Sequence, residues 1–109
     1  MKRDSYRYAA RLFRLLSHPA RLRILDELRR GEACVCHLQA VLGRPQVYVS
    51  QQLRVLREAG VIESYKDGLF VYYRLADSRV ERLLGEMLGS VTEAERLSHC
   101  TCPFCRGEC

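Results

Sequence analysis

The chain has 109 residues, of which 48% are hydrophobic, and its formal net charge is +5. This length suits one compact domain, and no apolar run is long enough for a signal peptide or a membrane span, so we expect a cytoplasmic protein with no membrane partner. Most of the basic residues are arginines, which favour contacts with phosphate, and nucleic acid is therefore the first partner to consider.

Four helices are predicted in the first 60 residues. Apolar residues recur at helical spacing over residues 6–16. Pro19 suits the first turn of a second helix, which stops at Gly31. A short third helix is predicted over residues 33–42 and ends at Gly43. A fourth begins at Pro45 and ends at Gly60.

The hydrophobic period changes after Gly60. Residues 61–65 and 69–75 are rich in β-branched and aromatic side chains, and Lys66-Asp67-Gly68 between them contains the Asp-Gly signal of a hairpin. A last helix is predicted from about Asp77 or Ser78. Its apolar stripe is wider than a small core needs, which indicates dimerisation.

These elements predict a mainly α fold with a small β-hairpin, the winged helix-turn-helix. The fourth helix would be the recognition helix, with short polar side chains near its start for base edges and arginines further along for phosphate. Lys66 on the wing could reach a neighbouring groove. The candidate DNA contacts are Gln46, Val47, Tyr48, Ser50, Gln51, Arg54, Arg57 and Lys66.

Three stretches carry a resemblance to a known family: HPARLRIL at 18–25, CVCHL at 34–38 and VSQQLRVLREAGV at 49–61. They resemble the ArsR/SmtB family of metal-sensing repressors, and the similarity extends over about residues 8–91. The resemblance implies a homodimer formed through the first and last helices. It also implies that the metal-free form binds an operator with inverted-repeat symmetry and leaves it when an inducer binds.

Six cysteines lie in two clusters, a pair and a terminal group: Cys34 and Cys36, then Cys100, Cys102, Cys105 and Cys109. In a reducing compartment they would remain thiols, which favours binding of a metal or metalloid, or redox sensing, over structural disulfides. The resemblance places the pair with arsenic, antimony, cadmium and lead sensors. A second family site, for zinc, falls on Asp77, Arg79, Ser90 and Glu93, where both histidines are missing.

The pair is predicted to lie at the start of the third helix. Side chains at i and i+2 of a helix project about 200° apart, so both thiolates would reach one ion only if the helix distorts. Binding of an ion would then strain the helix-turn-helix. His37 is expected to face solvent, and His18 to serve the start of the second helix.

The terminal group, in residues 99–109, is predicted to form a metal-binding tail after a DNA-binding and dimerisation domain of residues 1–98. Cys100, Cys102 and Cys105 suit the trigonal three-thiolate site of trivalent arsenic or antimony, and Cys109 with His99 could complete a tetrahedral zinc or cadmium site. A self-contained tail site, a site shared with Cys34 and Cys36, and two separate sites all remain open. We favour the tail triad as the primary site.

The sequence therefore predicts a homodimeric repressor released from DNA by As(III) or Sb(III), with Cd(II), Pb(II) or Zn(II) as alternative inducers. A thiol-redox sensor of the same fold and a constitutive DNA-binding protein with a structural zinc site are the competing hypotheses. An enzyme is not expected, because the Cys102-Pro103-Phe104-Cys105 motif lacks the βαβ context of a thiol oxidoreductase.

Overall fold

The computed structural model describes residues 3–91. The tail cysteines, His99, Glu93 and the predicted domain boundary at residue 98 lie outside the described residues. The eight described elements are α1 (Arg3–Leu16), α2 (Pro19–Arg30), β1 (Ala33–Cys34), α3 (Val35–Leu42), α4 (Gln46–Glu58), β2 (Ile62–Asp67), β3 (Phe70–Leu75) and α5 (Ser78–Leu88). None of the helices in this part of the chain is both long and apolar enough to cross a membrane.

The five predicted helices and the predicted hairpin are confirmed, and the caps show why most of their boundaries fall where they do. Pro19 begins α2, where its missing N–H leaves no hydrogen bond unmade. His18 serves this start through its backbone, because its carbonyl accepts from the Leu22 N–H at 3.0 Å. Gly43 ends α3 in the left-handed conformation, with φ of 65°, and its N–H donates to the Gln39 carbonyl.

The predicted start of the third helix is wrong. Ala33 and Cys34 form strand β1, which pairs with Tyr73 and Tyr72 of β3 in a sheet of order β1-β3-β2. Cys34 has φ of −91° and ψ of 173°, so it is extended, and α3 begins one residue later. The expectation that an ion held by both thiols must distort a helix therefore does not apply, because only Cys36 is helical.

The wing is a hairpin with a two-residue turn. Asp67 pairs with Phe70, and Gly68 has φ of 66° while Leu69 keeps a negative φ, which is the pattern of a type II′ turn. Lys66, predicted in the turn, lies in β2 opposite Val71. On one face of the hairpin the rings of Tyr65 and Tyr72 stack with centroids 5.8 Å apart.

Side chains from every helix and from the sheet meet in one core. Its buried members are Leu16, Ile24, Leu25, Leu28, Ala33, Leu38, Val49, Leu53, Leu56, Val61, Ile62, Val80 and Leu84. The α4 members recur at i, i+4 and i+7, and this spacing turns the opposite face of α4 away from the protein.

Arg29 is a buried cation that the sequence did not reveal. Its Nη2 lies 2.6 Å from Asp26 Oδ1, and its Nη1 donates to the Gly89 carbonyl at 2.6 Å, so it ties the end of α2 to the end of α5.

Arg29→Ala is expected to lower the free energy of unfolding by about 1–3 kcal/mol, because the Gly89 carbonyl and Asp26 lose a charged donor in a buried setting. Urea unfolding followed by circular dichroism measures the change. The exposed Arg23 on the same helix supplies the control, since Arg23→Ala should change the value by less than about 0.5 kcal/mol. Equal effects of the two substitutions would contradict the role given to Arg29.

Candidate DNA interface and thiol site

The outward face of α4 collects most of the predicted DNA contacts. Its exposed side chains line one shallow groove: Gln46, Val47, Ser50, Gln51 and Arg54. Arg57, one turn beyond Arg54, is also exposed. No carboxylate within residues 3–91 lies in salt-bridge range of either arginine, so their charge is directed to the solvent side.

Tyr48 lies apart from that group. It is partly buried and packs against the core, and the guanidinium carbon of Arg44 lies 4.1 Å from the centroid of its ring. The structure thus adds Arg44, which the sequence analysis did not select, as a cation at the turn between α3 and α4. Its spacing of four residues from an aromatic ring was the available signal.

The angle of α4 is held by a second arginine that the sequence analysis missed. Arg21 of α2 donates from Nε to Gln52 Oε1 at 2.8 Å and from Nη1 to the Leu15 carbonyl at 3.1 Å. One side chain therefore joins α1, α2 and the inward side of α4.

The wing is tied to the segment that precedes β1. The Tyr65 hydroxyl donates to Glu32, and this hydrogen bond to a carboxylate raises the pKa of Tyr65 to about 12. Arg74 donates from Nε to Glu63 Oε1 at 2.6 Å, and its guanidinium carbon lies 5.1 Å from the centre of the Tyr65 ring. Lys66 is exposed on the wing, as the DNA-binding prediction requires.

The thiol pair joins the sheet to the helix-turn-helix. Cys34 is buried, with 2% of its surface exposed, and packs with Cys36 and Tyr72. Cys36 lines a groove that also contains Gly43, Arg44 and Pro45, the link to α4. Both cysteines are disulfide-bonded.

The two cysteines supply only part of a metal site. Within residues 3–91 no three His, Cys, Asp or Glu side chains are grouped so that they could hold a metal ion. A three-ligand site that includes Cys34 and Cys36 would therefore draw on other residues of the chain or on another subunit.

His37 does not face solvent, so that expectation is wrong. The residue is 8% exposed, and its Nε2 lies 3.0 Å from Glu27 Oε1. His37 lies beside Leu38 on the inner side of α3, and the hydrogen-bond partner on α2 makes burial of its imidazole favourable. The hydrogen bond with His37 lowers the pKa of the Glu27 carboxyl below its ordinary value.

This pair predicts a loss of stability in acid. Because Glu27 has a lower pKa in the folded chain than in the unfolded chain, its contribution is present above the unfolded value near 4.5 and disappears as the pH falls through the folded value. Asp26 acts in the same direction, since hydrogen bonds from Arg29 and Arg30 lower its pKa despite burial.

Urea unfolding at pH 7, 5, 4 and 3 should show a smaller loss in Glu27→Gln than in the native chain. The exposed carboxylate Glu58 provides the control, because Glu58→Gln should follow the native curve. A Glu27→Gln curve parallel to the native one would contradict the prediction.

An apolar surface runs along α1 and α5. Its most exposed members are Tyr6, Phe13, Met87 and Leu88, and Tyr8, Leu12, Phe13 and Leu83 line a cavity between the two helices.

Two positions of the family's zinc site lie near this face and pair with each other instead. Asp77 caps α5 by accepting from the Arg79 N–H at 2.9 Å, and the Arg79 guanidinium carbon lies 4.7 Å from the centroid of the Tyr8 ring.

Comparisons with known proteins agree with this geometry. Residues 18–64 match the family described as bacterial regulatory protein, arsR family. The chain is 37% identical over 95 residues to a transcriptional repressor SmtB homolog of Synechocystis. This match covers 87% of this chain and 72% of that protein.

Two solved structures share the fold. A homodimeric winged helix-turn-helix DNA-binding domain from Mycobacterium bovis, described as a possible ArsR-family regulator, superposes with a TM-score of 0.71 at 30% identity, over 78% of this chain and 79% of that one. Reduced HlyU from Vibrio cholerae gives 0.73 at 28% identity, over 80% and 95%. From these matches and from its winged helix-turn-helix, the chain belongs to the ArsR/SmtB family of winged-helix transcriptional repressors.

Proposed function

We propose that this protein is a homodimeric repressor that binds operator DNA through α4 and the wing and is released when As(III) or Sb(III) binds its cysteine thiolates. The observation that carries the proposal is the position of the thiol pair. Cys34 is hydrogen-bonded into the wing sheet, and Cys36 lies against the link to the recognition helix.

The proposed DNA binding rests on the outward face of α4. The groove places two amides, a hydroxyl and an arginine together near the start of the helix, where a recognition helix meets base edges. Arg57 and Lys66 would add phosphate contacts, which position the protein without reading sequence. Tyr48 would act through its hydroxyl at the edge of this surface.

The proposed dimerisation rests on the apolar surface of α1 and α5. Exposed aromatic and aliphatic side chains on two adjacent helices are expected at an interface, since such a patch is costly in water. The M. bovis structure is described as homodimeric. A twofold axis through this face would give two recognition helices for an operator with inverted-repeat symmetry.

The proposed binding of the inducer rests on the chemistry of the cysteine sulfur atoms. Sulfur ligands prefer soft ions such as trivalent arsenic and antimony, and the pair fits that preference once its disulfides are reduced. Cys100, Cys102 and Cys105 would complete the site or form one of their own, with Cys109 as a further ligand. Because Cys34 is in β1 and Cys36 in α3, an ion held by both would bridge the wing sheet and the helix-turn-helix.

Operator binding followed by fluorescence anisotropy tests the proposal. Arsenite, antimonite, cadmium, lead and zinc are titrated under a phosphine reductant, since dithiol reductants chelate arsenite. The proteins are the native chain, a Cys34→Ser/Cys36→Ser double variant and a Cys100→Ser/Cys102→Ser/Cys105→Ser triple variant. We expect arsenite and antimonite to weaken native binding about 10–100-fold, a coupling typical of allosteric sites.

The variants assign the site. If the double variant responds and the triple variant does not, the tail holds the inducer. The reverse result assigns it to the pair, and failure of both variants indicates a shared site. If none of the five ions releases the native protein, sensing of these ions is excluded.

The disulfide bonding of Cys34 and Cys36 in the structure favours a second candidate, a repressor that senses thiol oxidation. Two thiols would form a disulfide and pass two electrons and two protons to a peroxide, which is reduced to water. Hydrogen peroxide without metal ions should then lower operator affinity, and reductant should restore it. Peroxide that leaves the native affinity unchanged excludes this candidate.

A further inference from the structure

We infer that Val47 reads the C5-methyl group of a thymine in each operator half-site, beside an adenine contacted by a glutamine of the same helix. The inference rests on the proposed DNA-binding function and names part of its target. Its basis is the exposure of one aliphatic side chain within a polar surface.

Val47 stands out among the aliphatic residues of α4. Its side chain is 70% exposed, whereas Val49, Leu53 and Leu56 are at most 1% exposed. Exposing a valine stabilises nothing in the folded monomer, because its methyl groups remain in water. The residue is therefore available for a contact outside this chain.

The neighbours of Val47 narrow the kind of contact. It shares its groove with Gln46, Ser50, Gln51 and Arg54, all of which form hydrogen bonds in water. A single valine within such a rim is too small to anchor a protein partner, since docking surfaces have contiguous apolar area. It matches a partner that presents one methyl group among hydrogen-bonding groups.

The major groove of DNA is such a surface. Thymine is the only standard base with a methyl group there, and glutamine forms a bidentate pair with adenine. Val47 is the second residue of α4, in the turn that approaches base edges. Gln51 follows it by four residues and so lies next to it on the same helix face, and Gln46 lines the same groove.

The test begins with duplexes selected from a random library by the native protein. Each thymine of the selected site is then replaced by deoxyuridine, which removes only the methyl group. We expect one thymine per half-site at which the replacement weakens native binding about fourfold, or on the order of 15-fold when both half-sites are changed.

Val47→Ala should bind the thymine site more weakly and lose most of the distinction between thymine and deoxyuridine, to below twofold. Ser50→Ala is the matched control, because it should weaken binding and keep the distinction. Full deoxyuridine sensitivity in Val47→Ala, or no sensitive thymine in the native complex, would overturn the inference. A library that yields no bound duplex would overturn DNA binding itself.

Discussion

Replacing Phe13 by glutamate is expected to convert the proposed homodimer into monomers and to weaken operator binding at least about 100-fold. The ring is 58% exposed on α1 and lines the cavity against α5. At an interface it would be buried against its twofold mate, and two carboxylates there would repel each other without solvent. Loss of the second recognition helix removes the effective-concentration advantage of a linked pair of half-sites.

Sedimentation velocity gives the oligomeric state of Phe13→Glu, and anisotropy gives its operator affinity. Phe13→Leu keeps an apolar side chain and should stay dimeric. Circular dichroism checks that both variants fold, as the exposure of Phe13 leads us to expect. A dimeric Phe13→Glu protein with native affinity would place the interface elsewhere.

The second large effect concerns transmission from the thiol pair. For an inducer held by Cys34 and Cys36, as one of the proposed sites has it, Tyr72→Ala is expected to retain arsenite binding but to reduce the expected 10–100-fold release from DNA to below about threefold. Cys34 pairs with Tyr72 and packs against it, and the Tyr72 ring stacks on Tyr65 in the wing. Without the Tyr72 ring, a structural change at Cys34 should no longer move the wing.

Tyr65→Phe provides a milder variant. It keeps the stacked ring and loses only the hydrogen bond to Glu32, so its release should fall between those of the native protein and Tyr72→Ala. Arsenite stoichiometry, measured by titration of the remaining thiols, separates loss of binding from loss of coupling. Native release by Tyr72→Ala would indicate that the signal does not pass through the Tyr72 ring.

Much of the fold could be predicted because its elements carry local signals. Pro19, Gly43 and the Asp67-Gly68 pair mark boundaries through their own backbone preferences, and the buried residues of α4 follow the helical period. Strand β1 could not be predicted in this way. Two residues are too few to show a period, and their extended conformation comes from hydrogen bonds to β3, about 40 residues later in the chain.

The residues of the candidate site also fall into those that local patterns predict and those that depend on distant contacts. The outward residues of α4 could be predicted, because exposure follows from the position of the buried stripe. The contacts of Arg21 with Gln52 and of His37 with Glu27 join residues that are distant in sequence. Each is a hydrogen bond between side chains on different helices, and no periodic pattern specifies which partners will meet. Arg29 was missed because its burial also depends on the Gly89 carbonyl, 60 residues later in the chain, and arginine is rarely buried without such partners.

The two sides of α4 have a consequence for how regulators of this shape can diverge. Val49, Leu53 and Leu56 hold the helix in the core, whereas the residues in the outward groove are exposed. Substitutions in that groove should change the free energy of unfolding by less than about 0.5 kcal/mol. After a gene duplication, one copy could therefore acquire a new set of target promoters by ordinary point mutations without first gaining stability to spare.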